Sequence, residues 1–509
     1  MKKASITIYL SLMLVLIVSV ISASIVSVKV QAGRSRVANS VDQAMFSLFA
    51  QYDRDLLSKY DVFFIDGAVG SGNMQIGSIY ERFTGAMGYI LEPNKGNVFG
   101  GRNLLDLSLT EGAITGYTLA TDVNGGIYAS QAVEYMKETA GIQGISLLLG
   151  KYGQAADHTE IQTAQGSSLQ ELSGGASYTD IEAQSAEAVR ADAEEAAERA
   201  EAGIFEPTEA EARAEAVPDD FVNPLPFIDE LRSRALLDLV TGGSENISDK
   251  SLNGAVLASS RGYDRGVGVI DVPEGIGTFE SHLIFDEYIM THFGCYTSPD
   301  ANGPLAYQAE YILQGMGSDR ENIEAMVTKL LAVREAANIV FLYSSAVRSE
   351  ELTAASAAIA ALLFIPFAEP VIKAILAAGW AFCESVVDVR ALLTGKRVPL
   401  MKSDSNWQVS LSGIPELLTE GGLDMAAGDV GEGMSYQDYL RVMLAIADGQ
   451  TQITRTLDMV EQNIRTGGRP NFRIDCCMEA LTVQVSVRSE RRVTLTEEQT
   501  VRYRDFAKS

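Results

Sequence analysis

Histidine is scarce in this chain, and so are the patterns that usually reveal enzyme chemistry. Only three histidines and four cysteines occur in 509 residues. Neither a Gly-x-Ser-x-Gly nucleophile elbow nor a cysteine-centred nucleophile pattern occurs. His282, Asp286, Glu287 and His292 form the densest group of potential metal ligands, but their spacing matches no helical zinc pattern. We therefore predict no catalytic residue, no metal and no cofactor, and interpret these side chains as surface or hydrogen-bonded groups.

Positive charge is also in short supply. Forty Lys and Arg residues stand against 67 Asp and Glu residues, which gives a net charge of −27. Such a balance argues against nucleic acid as a partner and against adhesion of the body to an anionic bilayer surface. The hydrophobic content of 47% excludes global disorder.

Neither the four cysteines nor a glycine-rich segment predicts a functional site. Cys295, Cys383 and the adjacent Cys476 and Cys477 form an even set that permits disulfides outside the cell, but a body this large does not need them. The adjacent pair is typical of buried strand residues, and the disulfide state stays open. The segment 67–72 follows an apparent strand as a phosphate loop would, but it lacks the Lys-Ser/Thr ending, so we interpret it as a turn.

Residues 4–28 form an uncharged apolar run between two basic flanks. As a helix this run would extend roughly 37 Å, enough to cross a bilayer core of about 30 Å. It is too long for the apolar stretch of a secretory signal, although residues 30–32 resemble a weak cleavage site. We predict an uncleaved anchor in the bilayer. The flanking charges nearly balance, and we predict a cytoplasmic N-terminus with the body outside the cell membrane.

Small residues recur on one face of this run. Ser19, Ala23 and Ser27 lie at four-residue spacing, which lets a second membrane helix approach closely. Chance placement of frequent serines explains the same spacing, so a transmembrane partner is one of two open interpretations.

The anchor is predicted to continue as an amphipathic stalk helix over residues 29–60. Apolar side chains recur there at steps of three, four and seven residues, which is one face of a helix; they include Val41, Met45, Leu48 and Tyr52. We expect this face to pack on the body, with Gln43 and Gln51 outside. An ordinary docking helix is compatible with the same pattern.

The remaining chain is predicted to be a helix-rich α+β body with long helices and antiparallel strands. Residues 61–164 form its first part, 165–220 an acidic Ala/Glu-rich flexible linker or insertion, and 221–509 the main body with a C-terminal β-hairpin. Ser318 and Ser435 have the spacing of helix N-caps, and residues 481–487 alternate like a half-exposed strand. The linker has almost no large apolar residues to bury, and an acidic segment that binds cations or a basic partner is its other interpretation.

A second apolar block, residues 354–381, is also long enough to be considered as a membrane segment. Pro366, Glu369, Pro370 and Lys373 lie at its centre. A spanning helix would bury the two charged side chains near the bilayer midplane at a cost of several kcal/mol. We predict two buried helices broken at the prolines, rather than a second membrane segment.

Several stretches resemble one known group of proteins. They are residues 3–12, the apolar run, 49–64, Phe285-Asp-Glu-Tyr and its continuation to 294, Tyr311-Ile-Leu-Gln-Gly with 321–323, Arg334-Glu-Ala-Ala-Asn, and Tyr436-Gln-Asp-Tyr-Leu-Arg. They are similar to a family of uncharacterised single-pass envelope proteins of Gram-positive bacteria that are encoded with Tad-type (tight adherence) pilus assembly genes. The resemblance implies a minor-pilin-like N-terminus and pilus assembly proteins as partners. Ala4 and Tyr9 stand where pilin precursors carry Gly and Glu, so processing does not follow from it.

Two hypotheses about function result. The first is a non-enzymatic, membrane-anchored accessory or minor-pilin-like component of a Tad-type pilus or secretion assembly. The second is a membrane-tethered hydrolase of wall polymers that uses paired carboxylates, which a deep cleft with two convergent acids would favour.

Overall fold

The computed structural model describes residues 2–91, 105, 107–171, 177–202, 206–242, 247–273, 277–428, 431, 433–489 and 493–506. It divides into two compact units, the first of residues 1–135, 256–276 and 456–509, and the second of residues 136–255 and 277–455. These units cut across the predicted ranges 61–164 and 221–509. The reason is that the C-terminal strands form their sheet with strands from the N-terminal part of the chain.

The first unit is built on an antiparallel sheet. Its elements include α1 (Lys2–Phe49), α2 (Arg54–Tyr60), β1 (Ile65–Asp66), α3 (Ile76–Leu91), β2 (Ser108–Leu119), β3 (Cys477–Arg488), β4 (Thr494–Arg502) and α18 (Tyr503–Phe506). β3 lies at the centre, because its Val487 pairs with Leu109 of β2 on one side and with Leu495 of β4 on the other. β1 pairs with the start of β3 through Ile65 and Met478. The predicted hairpin is therefore part of a larger sheet, in which its first strand, β3, is central.

The second unit is helical among its described residues. Its elements include most of α4 (Gly126–Leu148), then α5 (Gln154–Gln170), α6 (Tyr178–Glu201), α7 (Glu209–Glu215), α8 (Leu225–Ser233), α9 (Leu236–Thr241), α10 (Phe279–His292), α11 (Gln308–Gln314), α12 (Asp319–Ser344), α13 (Ala346–Leu362), α14 (Glu369–Leu393), α15 (Gly422–Ala426) and α16 (Tyr436–Ile446). α17 (Gly449–Thr466) crosses the boundary between the two ranges. A helix-rich α+β fold is thus confirmed.

Two predicted helix starts are confirmed by their caps. The Ser318 hydroxyl accepts a hydrogen bond from the backbone N–H of Glu321 at the start of α12. Ser435 and Asp438 form a complete capping box at the start of α16. Each cap satisfies N–H groups that a helix leaves unpaired in its first turn.

The apolar block 354–381 forms parts of two helices, α13 and α14, which are separated at the first proline. Pro366 begins a short 3-10 turn, and α14 follows it from Glu369 with Pro370 in its first turn, where a missing N–H costs nothing. α14 is long and apolar enough to span a membrane, but 83% of its most apolar window is buried within the protein. Burial by protein satisfies this apolar surface, so the structure favours two packed helices.

The acidic range 165–220 contains more regular structure than its composition suggests. Within it, α5 extends to Gln170, and capping boxes at Ser177 and Thr208 begin α6 and α7. Ile181 is buried at the start of α6. Residues 172–176 and 203–205 lie outside the described residues. Local capping and one buried contact supply order that an absence of apolar stripes does not reveal, while flexibility of this segment stays a prediction.

Candidate functional site

The N-terminal half of α1 exposes the apolar run. From Ile6 to Ile25 its large apolar side chains are exposed, and the helix continues without interruption to Phe49. Its most apolar window has a mean hydropathy of 2.5 and none of it is buried. Length and composition therefore give this half of α1 the capacity to span a membrane.

The C-terminal half of α1 packs on the sheet. Val41, Met45 and Leu48 are fully buried in one cluster with β3 side chains, as the predicted stripe requires. Gln43 is exposed, also as predicted. Tyr52 differs, since it is 37% exposed. The reason is that α1 ends at Phe49 and the chain leaves the helical path before α2, so the stalk is two helices rather than one.

Gly33 marks the point where α1 first meets the body. A Cβ atom at Gly33 would lie 3.1 Å from Cδ1 of Leu495, so a small residue lets the helix approach the end of the sheet. An open groove lies at this junction. It is lined by Val26, Lys29, Val30, Gly33, Leu105, Leu107, Ser489, Val493 and Leu495. The packed part of α1 thus begins within one turn or two of the end of the apolar run, without a spacer.

The other end of α1 is held by polar contacts. The Tyr503 hydroxyl donates to the carbonyl oxygen of Phe49 at 2.6 Å. Arg469 binds Asp53, the N-cap of α2, at 2.5 Å and also Asp66 at 2.8 Å. The packed half of α1 is therefore fastened at both of its ends.

The three small residues proposed for membrane-helix packing lie on the exposed half of α1. Ser19, Ala23 and Ser27 are all exposed. The Ser19 hydroxyl donates to the carbonyl oxygen of Leu16 at 2.7 Å, which satisfies it within its own helix. Their use by a second helix stays a prediction.

The glycine-rich segment 67–72 is organised around a carboxylate of the chain itself. The backbone N–H groups of Ala68 and Gly70 donate to the two oxygens of Asp66 at 2.9 and 3.0 Å. Arg469 binds the same carboxylate. Asp66 thus takes the acceptor position that a phosphate would occupy, which supports the interpretation as a turn.

The residues considered as metal ligands do not converge. Glu287 pairs with Arg441 at 2.6 Å, whereas His282 contacts Gln452 at 3.1 Å and Asp286 at 3.5 Å. His292 contacts the carbonyl oxygen of Tyr288 instead. No group of three or more potential ligands that could hold a metal occurs in the described part of the chain.

A buried cluster of four charged side chains was not predicted from the sequence. Arg334, Glu384, Asp388 and Lys402 have fully buried side chains in the second unit, and Asp388 lies 2.9 Å from Arg334 and 2.7 Å from Lys402. Burial alone would raise the pKa of Asp388, but the two cations hold it below its ordinary value. Asn338, one turn after Arg334, donates to the same carboxylate. The repeat of polar residues at i and i+4 in Arg334-Glu-Ala-Ala-Asn was the available signal.

The other resembling stretches also carry structural contacts. Tyr436 donates to the buried Glu310 at 2.7 Å, and Tyr439 accepts from Arg334 at 3.1 Å. Burial raises the pKa of Glu310 to about 7 and that of the buried Asp286 well above its ordinary value. Both carboxyls are enclosed, so a polymeric substrate has no route to them in this conformation.

All four cysteines are buried with free thiols. Burial raises the pKa of Cys383 and of Cys476 to about 12. These thiols are therefore protonated and poorly nucleophilic at neutral pH.

A comparison with protein families gives one match. The model described as a family of unknown function (DUF5702) matches residues 214–489, which is more than half of the chain and does not include α1. The matched range contains the buried charges of Arg334 and Asp388 and the whole of β3. No curated protein and no solved structure matches the chain.

Proposed function

The chain belongs to DUF5702, a family of unknown function, and we propose that it is a non-enzymatic, single-pass membrane protein of the cell envelope. The observation that carries this proposal is the division of α1 into an exposed apolar half and a half packed on the sheet. Exposure of these apolar side chains to water is unfavourable in free energy, whereas their exposure to the lipid of a bilayer is not. The packing of the other half of α1 on the sheet would then hold the sheet near the membrane surface.

The finer role that we propose is that of an accessory or minor-pilin-like component of a Tad-type assembly. A helix whose first half is exposed and whose second half packs on an antiparallel sheet supports a pilin-like layout. The resemblance of several stretches to proteins encoded with Tad-type pilus genes supports the same role. We place the N-terminus in the cytoplasm and the chain that follows the apolar run, from residue 29 onward, outside.

The hydrolase alternative finds less support. It requires two acids that face each other across a cleft, one with a raised pKa. Glu310 is 0% exposed and Asp286 is 2% exposed, and these are carboxyls whose pKa is raised. Acids buried to this extent are not accessible to a wall polymer.

Orientation is tested by thiol labelling of the full chain in whole cells. Val269, which is 91% exposed, is replaced by Cys in one variant, and Lys3 in another. Since the native cysteines are buried, we expect an impermeant maleimide to label Val269→Cys on intact cells and Lys3→Cys only after lysis. Labelling of Lys3→Cys alone on intact cells would place the body in the cytoplasm and refute the envelope role.

Crosslinking of the full chain in native membranes, followed by identification of its partners, tests the assembly role. We expect pilus assembly proteins among the crosslinked partners. Recovery of wall-polymer fragments instead, together with cleavage of purified wall material, would favour the hydrolase. A matched sample of cells that lack the chain controls for adventitious partners.

A further inference from the structure

The groove at the junction of α1 and the sheet has a charge unlike that of the whole chain. Lys29 lines it, Arg34 follows Gly33 on α1, and Arg488 ends β3 at the same end of the sheet. The chain carries a net charge of −27, but salt limits the reach of surface charges to about 10 Å at 0.1 M. A small anion at this end therefore responds to nearby charges, among which the described part of the chain supplies the cations Lys29, Arg34 and Arg488.

The groove is also apolar and continuous with the exposed half of α1. Val26, which belongs to the apolar run, forms one wall together with Val30, and Leu107 and Leu495 belong to the opposite wall. Its empty volume is about 440 Å³, including the mouth that opens to solvent. Because this volume counts open solvent, the groove is a shallow surface depression that can contact one side of a ligand but does not enclose it. An elongated apolar ligand could enter from the lipid-facing surface of α1 without crossing water.

We propose that this groove holds one anionic phospholipid, with an acyl chain along Val26, Val30 and Leu107 and the phosphate against the Lys29 ammonium. The inference rests on the proposed function, because it requires that residues 4–28 span the bilayer. Lys29 is the first cation after the apolar run, which is the depth at which a headgroup phosphate lies. Apolar walls with a cation at the rim match the two ends of a phospholipid, and a purely apolar partner would leave the ammonium without a counter-charge.

Retention of lipid by the full chain provides the test. The chain is inserted into vesicles of equimolar phosphatidylcholine and phosphatidylglycerol, extracted into mild detergent, and weighed by native mass spectrometry. We expect one phosphatidylglycerol per chain, kept in preference to phosphatidylcholine. Lys29→Gln should lower its retention about tenfold, as loss of a charge-assisted contact does. Arg54→Gln is the control, because this exposed cation on α2 lies beyond the far end of α1, about 30 Å along the helix from Lys29.

A second pair of variants tests the apolar part of the site. Val26→Phe narrows the groove, whereas Val28→Phe adds the same ring at a position that is 67% exposed. We expect Val26→Phe to lose the bound lipid and Val28→Phe to keep it. Equal retention in both members of each pair would overturn the site.

Flotation of the vesicles separates this inference from the function beneath it. A chain that floats with the vesicles but keeps no phosphatidylglycerol would overturn the lipid site and leave the anchor standing. A chain that does not float with the vesicles would overturn both the lipid site and the membrane anchor.

Discussion

Truncation of Leu48 to Ala tests whether α1, whose first half is exposed and apolar, is firmly packed on the sheet through its second half. Leu48 is 1% exposed and lies in a cluster with Met478, Leu481 and Val483 of β3. Removal of three carbon atoms forfeits about 2.4 kcal/mol of burial at about 0.8 kcal/mol per methylene. The residual cavity adds to this cost, and buried Leu→Ala changes range over about 2.7–5.0 kcal/mol. We therefore expect a loss of about 3–4 kcal/mol in the free energy of unfolding of the first unit.

Hydrogen exchange of the full chain in detergent micelles measures this loss locally. Amides of β3 should exchange roughly 100- to 1,000-fold faster in Leu48→Ala, because each 1.4 kcal/mol changes the open population tenfold. Gln43→Ala, on the exposed face of the same helix, should change the free energy by no more than about 0.5 kcal/mol. Equally small effects in both variants would refute the packing argument. The sheet would then be only loosely connected to α1.

Three further predictions concern the second unit, which contains both tryptophans and can be followed by their fluorescence during urea unfolding. Asp388→Asn removes a carboxylate that two buried cations share, so it should lower the free energy of unfolding by about 3–5 kcal/mol. A loss near zero would contradict the pairing of these charges. Ile181→Ala should lower the free energy of unfolding by about 2–4 kcal/mol, because Ile181 is buried. Val189 is 44% exposed, so Val189→Ala should lower it by no more than about 0.5 kcal/mol. Equally mild effects of the two substitutions would show that the acidic segment is solvated. The pKa of Glu310 is raised from 4.5 to about 7 by burial, so the folded chain keeps a proton that the unfolded chain releases between these values, and stability should fall as pH rises through this window. Glu310→Gln should remove that part of the pH dependence, and an unchanged slope would refute the assignment.

Local patterns in the sequence were sufficient to predict those elements whose formation depends on a few neighbouring residues. Ser318 and Ser435 begin helices as predicted, because a cap depends on side chains three residues apart. The alternation at 481–487 predicts a strand whose Leu481 and Val483 face a core, and both are buried. The apolar run and the stripe that follows it likewise give a helix with an exposed half and a packed half. Such signals repeat every two to four residues and need no distant partner.

Only the tertiary structure decided which distant segments meet. β3 pairs with Leu109 and Leu119 of β2, hundreds of residues earlier, so the C-terminal hairpin belongs to the unit that contains α1. Arg334 and Asp388 are 54 positions apart, and the residues next to each of them in the sequence do not predict that it is buried. A charge becomes stable in a core only when a counter-charge from another element offsets its desolvation. That balance depends on the position of both side chains in space, and this is why the buried cluster and the groove at Gly33 emerged from the fold and not from the sequence.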